Sequence, residues 1–174
     1  QRLRQTPVFS DWPEDSLREL AGASRVRRYQ RRTLLAGRDG KRRDVFLVVT
    51  GSIELAATNP KGDRYLLSII SPGQITRLVY LLDDVPGLYD YYAREDSEVV
   101  HLPGAVMARM LDADLVLWRS IARLMLRRYH VSAEFRHDHV LGTLRRRTAS
   151  MLLQLACRFG DLVPGACDTE LSIT

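Results

Sequence analysis

Short β-rich runs separated by glycine make up the chain between Arg25 and Leu102. The predicted strands are residues 31–36, 45–49, 52–58, 65–70 and 98–102. Evenly spaced short strands with glycine turns predict a sandwich or barrel instead of alternating β-α units. Gly51 lies between two predicted strands, where a tight turn needs a positive φ. Residues 59–62 predict a second hairpin turn.

A short helix precedes this region. Residues 10–14 are typical of a helix start, with a capping side chain ahead of a proline in the first turn. The helix is predicted to run to about Ala23 and to bury Leu17, Leu20 and Ala21.

Helical periodicity returns after Pro103. A short helix is predicted over residues 105–111 and a long one, without proline or glycine, over residues 112–139. Beyond Gly142, residues 147–159 form a further amphipathic pattern.

The long predicted helix carries two apolar stripes. One follows alternating steps of three and four, the spacing of a coiled-coil seam: Leu115, Trp118, Ala122, Met125 and Tyr129. The other lies on a neighbouring face: Leu117, Ile121, Leu124, Val131 and Phe135. Two apolar faces need two partners, which we expect to be the chain's own barrel and another subunit. The alternative is one wide stripe buried in a monomeric core.

Composition is that of a globular chain. With 174 residues and 45% apolar content, it can bury one core and begin a second. The net charge of +5 comes mainly from arginine and suits either a nucleic-acid partner or an ordinary basic surface. No apolar run reaches the roughly 20 residues of a membrane span, and the N-terminus is polar. Cys157 and Cys167 have no paired spacing, so neither a disulfide framework nor a thiolate metal site is expected. The expected location is the cytoplasm.

Catalytic and metal-binding motifs are lacking. The four histidines are His101, His130, His137 and His139, and they are not spaced as a metal cluster. His101 or His130 could ligate a haem, which stays an open alternative. Neither a P-loop, a nucleophile elbow nor a zinc-protease motif is found, so no enzyme, no catalytic residue and no metal site are expected.

The order of these elements resembles the Crp/Fnr transcription regulators. The resemblance rests on the helix sequence of residues 147–156 and on the barrel pattern at residues 35–37, 44–49, 51–53, 62 and 71–73. It implies a mostly β fold with added helices. The parts would be a cyclic-nucleotide-binding-like, jelly-roll-like β-roll sensor over residues 1–111, a dimerisation helix over 112–139, and the helical stub of a winged-helix domain over 140–174.

The resemblance also implies function and partners. It implies a homodimer joined along the long helix, with Leu115, Trp118, Ala122, Met125 and Tyr129 in the interface. Residues 171–174 match the segment that leads into the helix-turn-helix, so DNA is expected to be bound by a part absent from this sequence. RNA polymerase is a further expected partner, and the chain is not expected to bind a membrane. The alternative is a free-standing ligand-binding or protein-interaction roll without a DNA role.

The phosphate-binding cassette of the family is not matched. Arg77 and Leu78 stand where the cyclic-AMP sensors carry Gly-Glu, and Gly87 and Leu88 where they carry Arg-Ser. A buried phosphate needs such a guanidinium, so cyclic AMP in the standard mode is not expected. The effector is unknown, and haem and cyclic di-GMP remain open.

A remodelled effector site is the alternative use of this region. Its expected members are Arg77, Tyr80, Tyr89, Tyr91 and Arg94 from the roll, with Tyr129 and Ser132 from the long helix. Stacking and charge would hold a flat or anionic ligand. The competing interpretation is an ordinary strand in which Tyr89 and Tyr91 fill the roll while Tyr92 and Arg94 face water.

Overall fold

The structure is a computed structural model. It describes residues 3–4, 6–38, 43–59, 61–82, 87, 89–162 and 169–171, and it describes the backbone alone for residues 134–135, 138–139, 141, 154–162 and 169–171. The chain divides into two compact units, Gln1–Ile121 and Ala122–Thr174.

The first unit is a β-roll. Its strands are β1 (Arg25–Tyr29), β2 (Leu34–Ala36), β3 (Asp44–Thr50), β4 (Ile53–Thr58), β5 (Arg64–Ile70), β6 (Ile75–Thr76), β7 (Asp90–Ala93) and β8 (Ser97–Pro103). Among the described residues they form two antiparallel four-stranded sheets, ordered β1-β8-β3-β6 and β2-β7-β4-β5. The helices are α1 (Glu14–Ala23), α2 (Gly104–Ala113), α3 (Leu115–Leu141) and α4 (Leu144–Phe159). The predicted roll with flanking helices is confirmed.

The strand prediction was wrong at the start of the roll. The strand expected over residues 31–36 is only β2, because Arg31 and Arg32 form a turn in which Arg32 has φ 68°. The backbone N–H of Arg32 donates to the carbonyl of Ala93 at 2.7 Å and holds that turn. β1 and the short β6 were not predicted. β1 is rich in arginine, and it forms through backbone pairing with β8.

The core lies between the two sheets. Its buried side chains belong to β3, β4, β5, β7 and β8: Phe46, Val48, Ile53, Ile70, Tyr91 and Val99. The outer side of the first sheet is covered by α1 and α2, which contact each other and β8. β3 is consequently buried over four successive residues, since both of its faces are covered.

The turn at Gly51 has the predicted positive φ, of 72°. A Cβ atom there would meet the Ser97 hydroxyl and would lie 2.5 Å from the Asp96 carbonyl oxygen. The second predicted hairpin turn, between β4 and β5, is closed by Asn59. Its Oδ1 accepts hydrogen bonds from the backbone N–H groups of Lys61 and Asp63, both at 2.9 Å. Pro60 lies outside the described residues.

The first helix differs from its prediction in two details. α1 ends at Ala23 and buries Leu17 and Leu20 as expected, but Ala21 is exposed. No side chain caps its N-terminus, because Pro13 occupies the cap position.

The long helix begins later than predicted. Residues 112 and 113 belong to α2, and Asp114 between α2 and α3 is extended, with φ −141° and ψ 111°. The Asp114 carboxylate accepts a hydrogen bond from the Val116 N–H at 2.8 Å and so caps the N-terminus of α3. An aspartate in this role interrupts a helix, because its side chain bonds to the backbone in a non-helical conformation. α3 therefore starts at Leu115 and reaches Leu141.

The start of α3 belongs to the core of the first unit. Leu117 and Ile121 are 1% and 3% exposed, so the first two members of the second apolar stripe are buried as expected. The Trp12 indole N–H donates to the Ser120 hydroxyl at 2.7 Å and ties the N-terminal segment to this helix.

The second unit contains the rest of α3, α4 and a β-hairpin. α4 begins at Leu144, three residues before the prediction, and the Arg147 N–H donates to the Thr143 carbonyl in its first turn. Two further strands, β9 (Gly160–Leu162) and β10 (Thr169–Leu171), pair antiparallel, and β9 was not predicted. The side chains of Phe135 and Cys157, together with Leu88, Cys167 and residues 172–174, lie outside the described residues.

Among the described residues, none of the helices combines the length and apolar character that a membrane crossing requires.

Candidate functional site

Arg77 lies in the interior of the roll. It directly precedes a short 3-10 turn, Leu78–Leu81. Its backbone is left-handed, with φ 66° and ψ 27°, which costs a non-glycine residue about 1–2 kcal/mol. The residue is only 3% exposed. Such strained residues concentrate at ligand sites and switches, which makes this position the centre of the candidate site.

Three aromatic rings surround the Arg77 guanidinium. Its Cζ atom lies 4.7 Å from the ring centroid of Phe46, 4.5 Å from that of Tyr80 and 5.5 Å from that of Tyr91. One guanidinium nitrogen donates to the Asp44 carbonyl at 3.1 Å. Cation–π contacts of this kind gain strength when they are desolvated. The structure thus brings together three predicted effector residues, Arg77, Tyr80 and Tyr91.

Tyr91 is the innermost of the tyrosines. It is 7% exposed, and its ring meets Phe46 edge to face at 6.0 Å. Burial raises the pKa of Tyr91, while a hydrogen bond with Thr76 and the charge of Arg77 act in the opposite direction. Thr76 and Phe46 are members of the site that the sequence did not indicate. They come from strands β6 and β3, which only the folded sheet places beside Tyr91.

The remaining predicted residues of β7 lie towards the surface. Tyr89 precedes the strand and is 36% exposed, so the interpretation that both Tyr89 and Tyr91 fill the roll was wrong for Tyr89. Tyr92 and Arg94 are half-buried. The guanidinium of Arg64 lies 4.0 Å from the Tyr92 ring centroid. β7 begins at Asp90, and buried residues alternate with half-buried ones along it. Tyr91 and Ala93 are the buried residues.

Gly87 stands where the resembling family carries its phosphate-binding arginine. A Cβ atom here would meet the Tyr80 hydroxyl and would lie 3.0 Å from the Arg38 carbonyl oxygen. A larger residue would displace one of these groups.

His101 is buried in a hydrogen-bonded row beside the site. Its Nε2 atom is 2.7 Å from the Tyr29 hydroxyl, and its Nδ1 atom is 3.1 Å from Asp44 Oδ2. Burial lowers the pKa of His101, while Asp44 raises it and the charges of Arg27 and Arg77 lower it further. Both ring nitrogens hold protein partners in this arrangement, which leaves neither for haem iron. His130, the other histidine considered for haem, is exposed on α3.

A metal cluster is not found in the described part of the chain. No group of three histidine, cysteine, aspartate or glutamate side chains comes together there.

The predicted interface residues of α3 are mainly exposed. Leu115 is 82% exposed, Met125 45% and Tyr129 63%; Ala122 is exposed and Trp118 is half-buried. Four further exposed apolar residues of α3 were not assigned to the seam: Val116, Leu126, Val131 and Val140. Tyr129 and Ser132, the effector residues predicted on this helix, belong to the second unit. The Ser132 hydroxyl accepts a hydrogen bond from Arg136 at 2.9 Å.

Comparisons with known proteins agree with this fold. The family model for the cyclic nucleotide-binding domain matches residues 26–114, about half of the 174 residues. The chain is similar to the N-terminal domain of a transcriptional regulator from Streptomyces coelicolor A3(2), with 19% identity, a TM-score of 0.59, and coverage of 77% of this chain and 94% of that one. No curated protein matches the sequence.

Two further solved structures are similar to this chain over most of its length. One is the sensor domain of the transcriptional regulator DNR from Pseudomonas aeruginosa, with 15% identity, a TM-score of 0.66, and coverage of 77% of this chain and 90% of that one. The other is the catabolite activator protein of Thermus thermophilus, with 18% identity, a TM-score of 0.61 and coverage of 91% of both chains. At these identities the likeness establishes a shared fold.

Proposed function

Because the chain belongs to the cyclic nucleotide-binding domain family, we propose that it is the effector-sensing and dimerisation part of a Crp/Fnr-type transcription regulator. Members of this family are regulatory domains, and the solved structures of the same fold include transcriptional regulators. The proposal adds three elements to the family assignment: a homodimer, an effector that is not bound through the standard cyclic-AMP cassette, and DNA as the final target.

The observation that carries the proposal is the apolar surface of α3. A helix that follows the roll buries Leu117 and Ile121 in the first unit, yet exposes large apolar side chains such as Met125 and Tyr129 further along. Exposed apolar residues repeated at coiled-coil spacing are typical of an interface with a second helix. A second copy of α3 satisfies that requirement by self-complementarity.

Arg77 is the proposed effector contact. Its guanidinium is buried, lies against the rings of Phe46 and Tyr80 and donates to the Asp44 carbonyl, and an anionic group entering the roll would compete for it. Release of Arg77 from Phe46 and Tyr80 would then couple ligand binding to a change in the roll. A ligand shifts such an equilibrium only by its differential affinity for the two states. Tyr80, Tyr89, Tyr91, Arg94, Tyr129 and Ser132 remain the other predicted contacts.

The standard cyclic-AMP mode is not proposed. Leu78 offers no acceptor for a ribose hydroxyl where the family has glutamate, and Gly87 offers no guanidinium for the phosphate. The contacts at Gly87 explain the second departure, because an arginine side chain there would meet Tyr80.

DNA is the proposed target, through a helix-turn-helix that the resemblance puts after residue 174, and RNA polymerase is the proposed further partner. A native-length protein that selects a palindromic duplex from a random pool would support this. Failure to select any duplex, in a protein that still binds a small-molecule ligand, would favour a free-standing sensing module.

Calorimetric titration with cyclic AMP, cyclic GMP and cyclic di-GMP tests the effector site. We expect no tight binding of cyclic AMP. Heat from cyclic di-GMP that disappears in Arg77→Met and persists in Arg18→Met, a substitution of an exposed arginine on α1, would place the ligand on Arg77. Tight cyclic-AMP binding would overturn the cassette argument. Silence from all three nucleotides would remove them as effectors and direct the search to other anionic or flat ligands.

A further inference from the structure

Five arginines lie within the eight residues of 25–32, on and just after β1. All five are exposed: Arg25, Arg27, Arg28, Arg31 and Arg32. So many arginines close together create a strong local positive potential. A binding partner or solvent ions must balance this charge.

Little of this charge is neutralised within the described part of the chain. Arg28 approaches Glu98 at 3.3 Å, but its side chain is 88% exposed and the pair lies at the surface. The other four arginines form no ion pair with a described residue. Asp96, which lies between β7 and β8, accepts a hydrogen bond from the backbone N–H of Arg31 at 2.8 Å.

β1 is also an edge strand. It pairs with β8 and ends the order β1-β8-β3-β6, with no described strand on its outer side. In an antiparallel edge strand, every second residue directs its N–H and C=O groups away from the sheet. An incoming extended chain can pair with those groups, which is the way in which exposed sheet edges bind peptides.

The arginines occur on both faces of this edge. Arg25 and Arg27 are paired in register with His101 and Val99, on the side of the roll interior. Arg28 is on the opposite face, in register with Glu98. A nucleic-acid duplex lying against one face would leave the other face unused. The side chains of an added strand alternate between both faces and reach both sets of arginines.

We propose that β1 binds an extended acidic segment of a partner protein as an additional strand. Backbone hydrogen bonds would supply pairing, and carboxylates on successive residues would alternate between Arg25 and Arg27 on one face and Arg28 on the other. This surface is separate from the Arg77 site and from the exposed stripe of α3. Its test is therefore independent of the proposed effector and of the proposed dimer.

Fluorescence anisotropy with a labelled octapeptide of six glutamates and two threonines tests this surface. The purified chain should bind the peptide at low salt and release it as the salt concentration rises. The combined substitution Arg25→Ser, Arg27→Ser and Arg28→Ser should weaken binding roughly tenfold, since three exposed charge pairs are lost. A charge-matched control with Arg18→Ser, Arg109→Ser and Arg119→Ser, all exposed helical arginines, should change it by less than about twofold.

The strand geometry is tested by a second peptide. The same sequence with N-methyl groups on every residue keeps its charge but loses its backbone donors on both edges, and we expect it to bind roughly tenfold more weakly. Amide exchange should slow in β1 only with the unmethylated peptide. Equal binding of both peptides, or equal weakening by the control substitutions, would overturn the proposal.

Two other results would also overturn it. A 20-base-pair duplex that binds more tightly than the peptide and loses affinity in the β1 variant would assign the arginines to nucleic acid. Self-association of the β1 variant, combined with no peptide binding by the unmodified chain, would leave the arginines as protection of the edge against aggregation.

Discussion

The Tyr29 hydroxyl and the Nε2 atom of His101 are 2.7 Å apart, which links the edge strand β1 to a buried imidazole on β8. The same ring approaches Asp44 on β3 through its other nitrogen. Three strands of one sheet are therefore joined by side chains in addition to their backbone ladder. The protonation state of His101 is consequently coupled to the stability of the roll.

This coupling predicts a loss of stability in mild acid. Burial holds the pKa of His101 below its usual 6.5. As the pH falls below 6.5, the unfolded chain binds a proton that the folded chain does not, so the free energy of unfolding decreases until the lowered pKa is reached. Each unit of lowering corresponds to about 1.4 kcal/mol at most. Urea denaturation at pH 7.5 and 5.5 measures the change.

Two histidine substitutions separate this effect from general acid destabilisation. His101→Gln should reduce the difference between the two pH values, whereas His130→Gln, at an exposed position, should retain it. The assignment fails if both variants lose the same amount of stability as the unmodified chain between pH 7.5 and 5.5.

A second prediction compares two glycines with positive φ. Gly51 has φ 72° and Gly62 has φ 90°, but only at Gly51 would a Cβ atom meet neighbouring atoms. Both alanine substitutions carry a backbone cost of about 1–2 kcal/mol. Gly51→Ala should cost at least about 1 kcal/mol more, because Ser97 and Asp96 must move. Equal free energies of unfolding for the two variants would contradict the close approach.

The same glycine shows what the sequence can predict. Gly51 lies between two apolar runs, and a tight turn at this point is a local property. The start of α3 was missed because the apolar pattern is helical on both sides of Asp114. The break depends on this one aspartate, which caps α3. β1 was missed for a different reason: an edge strand is stabilised by backbone pairing with β8, and its arginines give no apolar alternation to detect.

The candidate site could be predicted only in part. Arg77 and Tyr91 were identified from charge and aromatic character near one another in the sequence. Phe46 and Thr76 belong to other strands, and their contacts with Tyr91 arise from sheet packing that no local pattern encodes. The inward orientation of Arg77 likewise depends on a left-handed backbone that is rare for arginine.

A third prediction concerns the bond between Trp12 and Ser120. Trp12 is 2% exposed, and its indole N–H donates to the Ser120 hydroxyl. Ser120→Ala leaves this buried donor without that acceptor and should lower the free energy of unfolding by about 1–3 kcal/mol. Ser132→Ala, where the hydroxyl bonds to an exposed arginine on the same helix, should be nearly neutral. A small effect at both serines in chemical denaturation would show that the Trp12 bond contributes little.

The last prediction tests the proposed dimer through Met125. In the protomer this side chain is 45% exposed, so Met125→Glu should leave the fold of one chain intact. In a seam between two helices the carboxylate would be buried without a partner, at a cost of about 3 kcal/mol or more. That cost corresponds to a roughly hundredfold weaker dimer. Arg127→Glu, two positions along and away from the seam, should keep the dimer, since it changes an exposed charge. Analytical ultracentrifugation should find a dimer for the unmodified chain and Arg127→Glu, and a monomer for Met125→Glu. A Met125→Glu variant that sediments as a dimer would show that another surface joins the two chains.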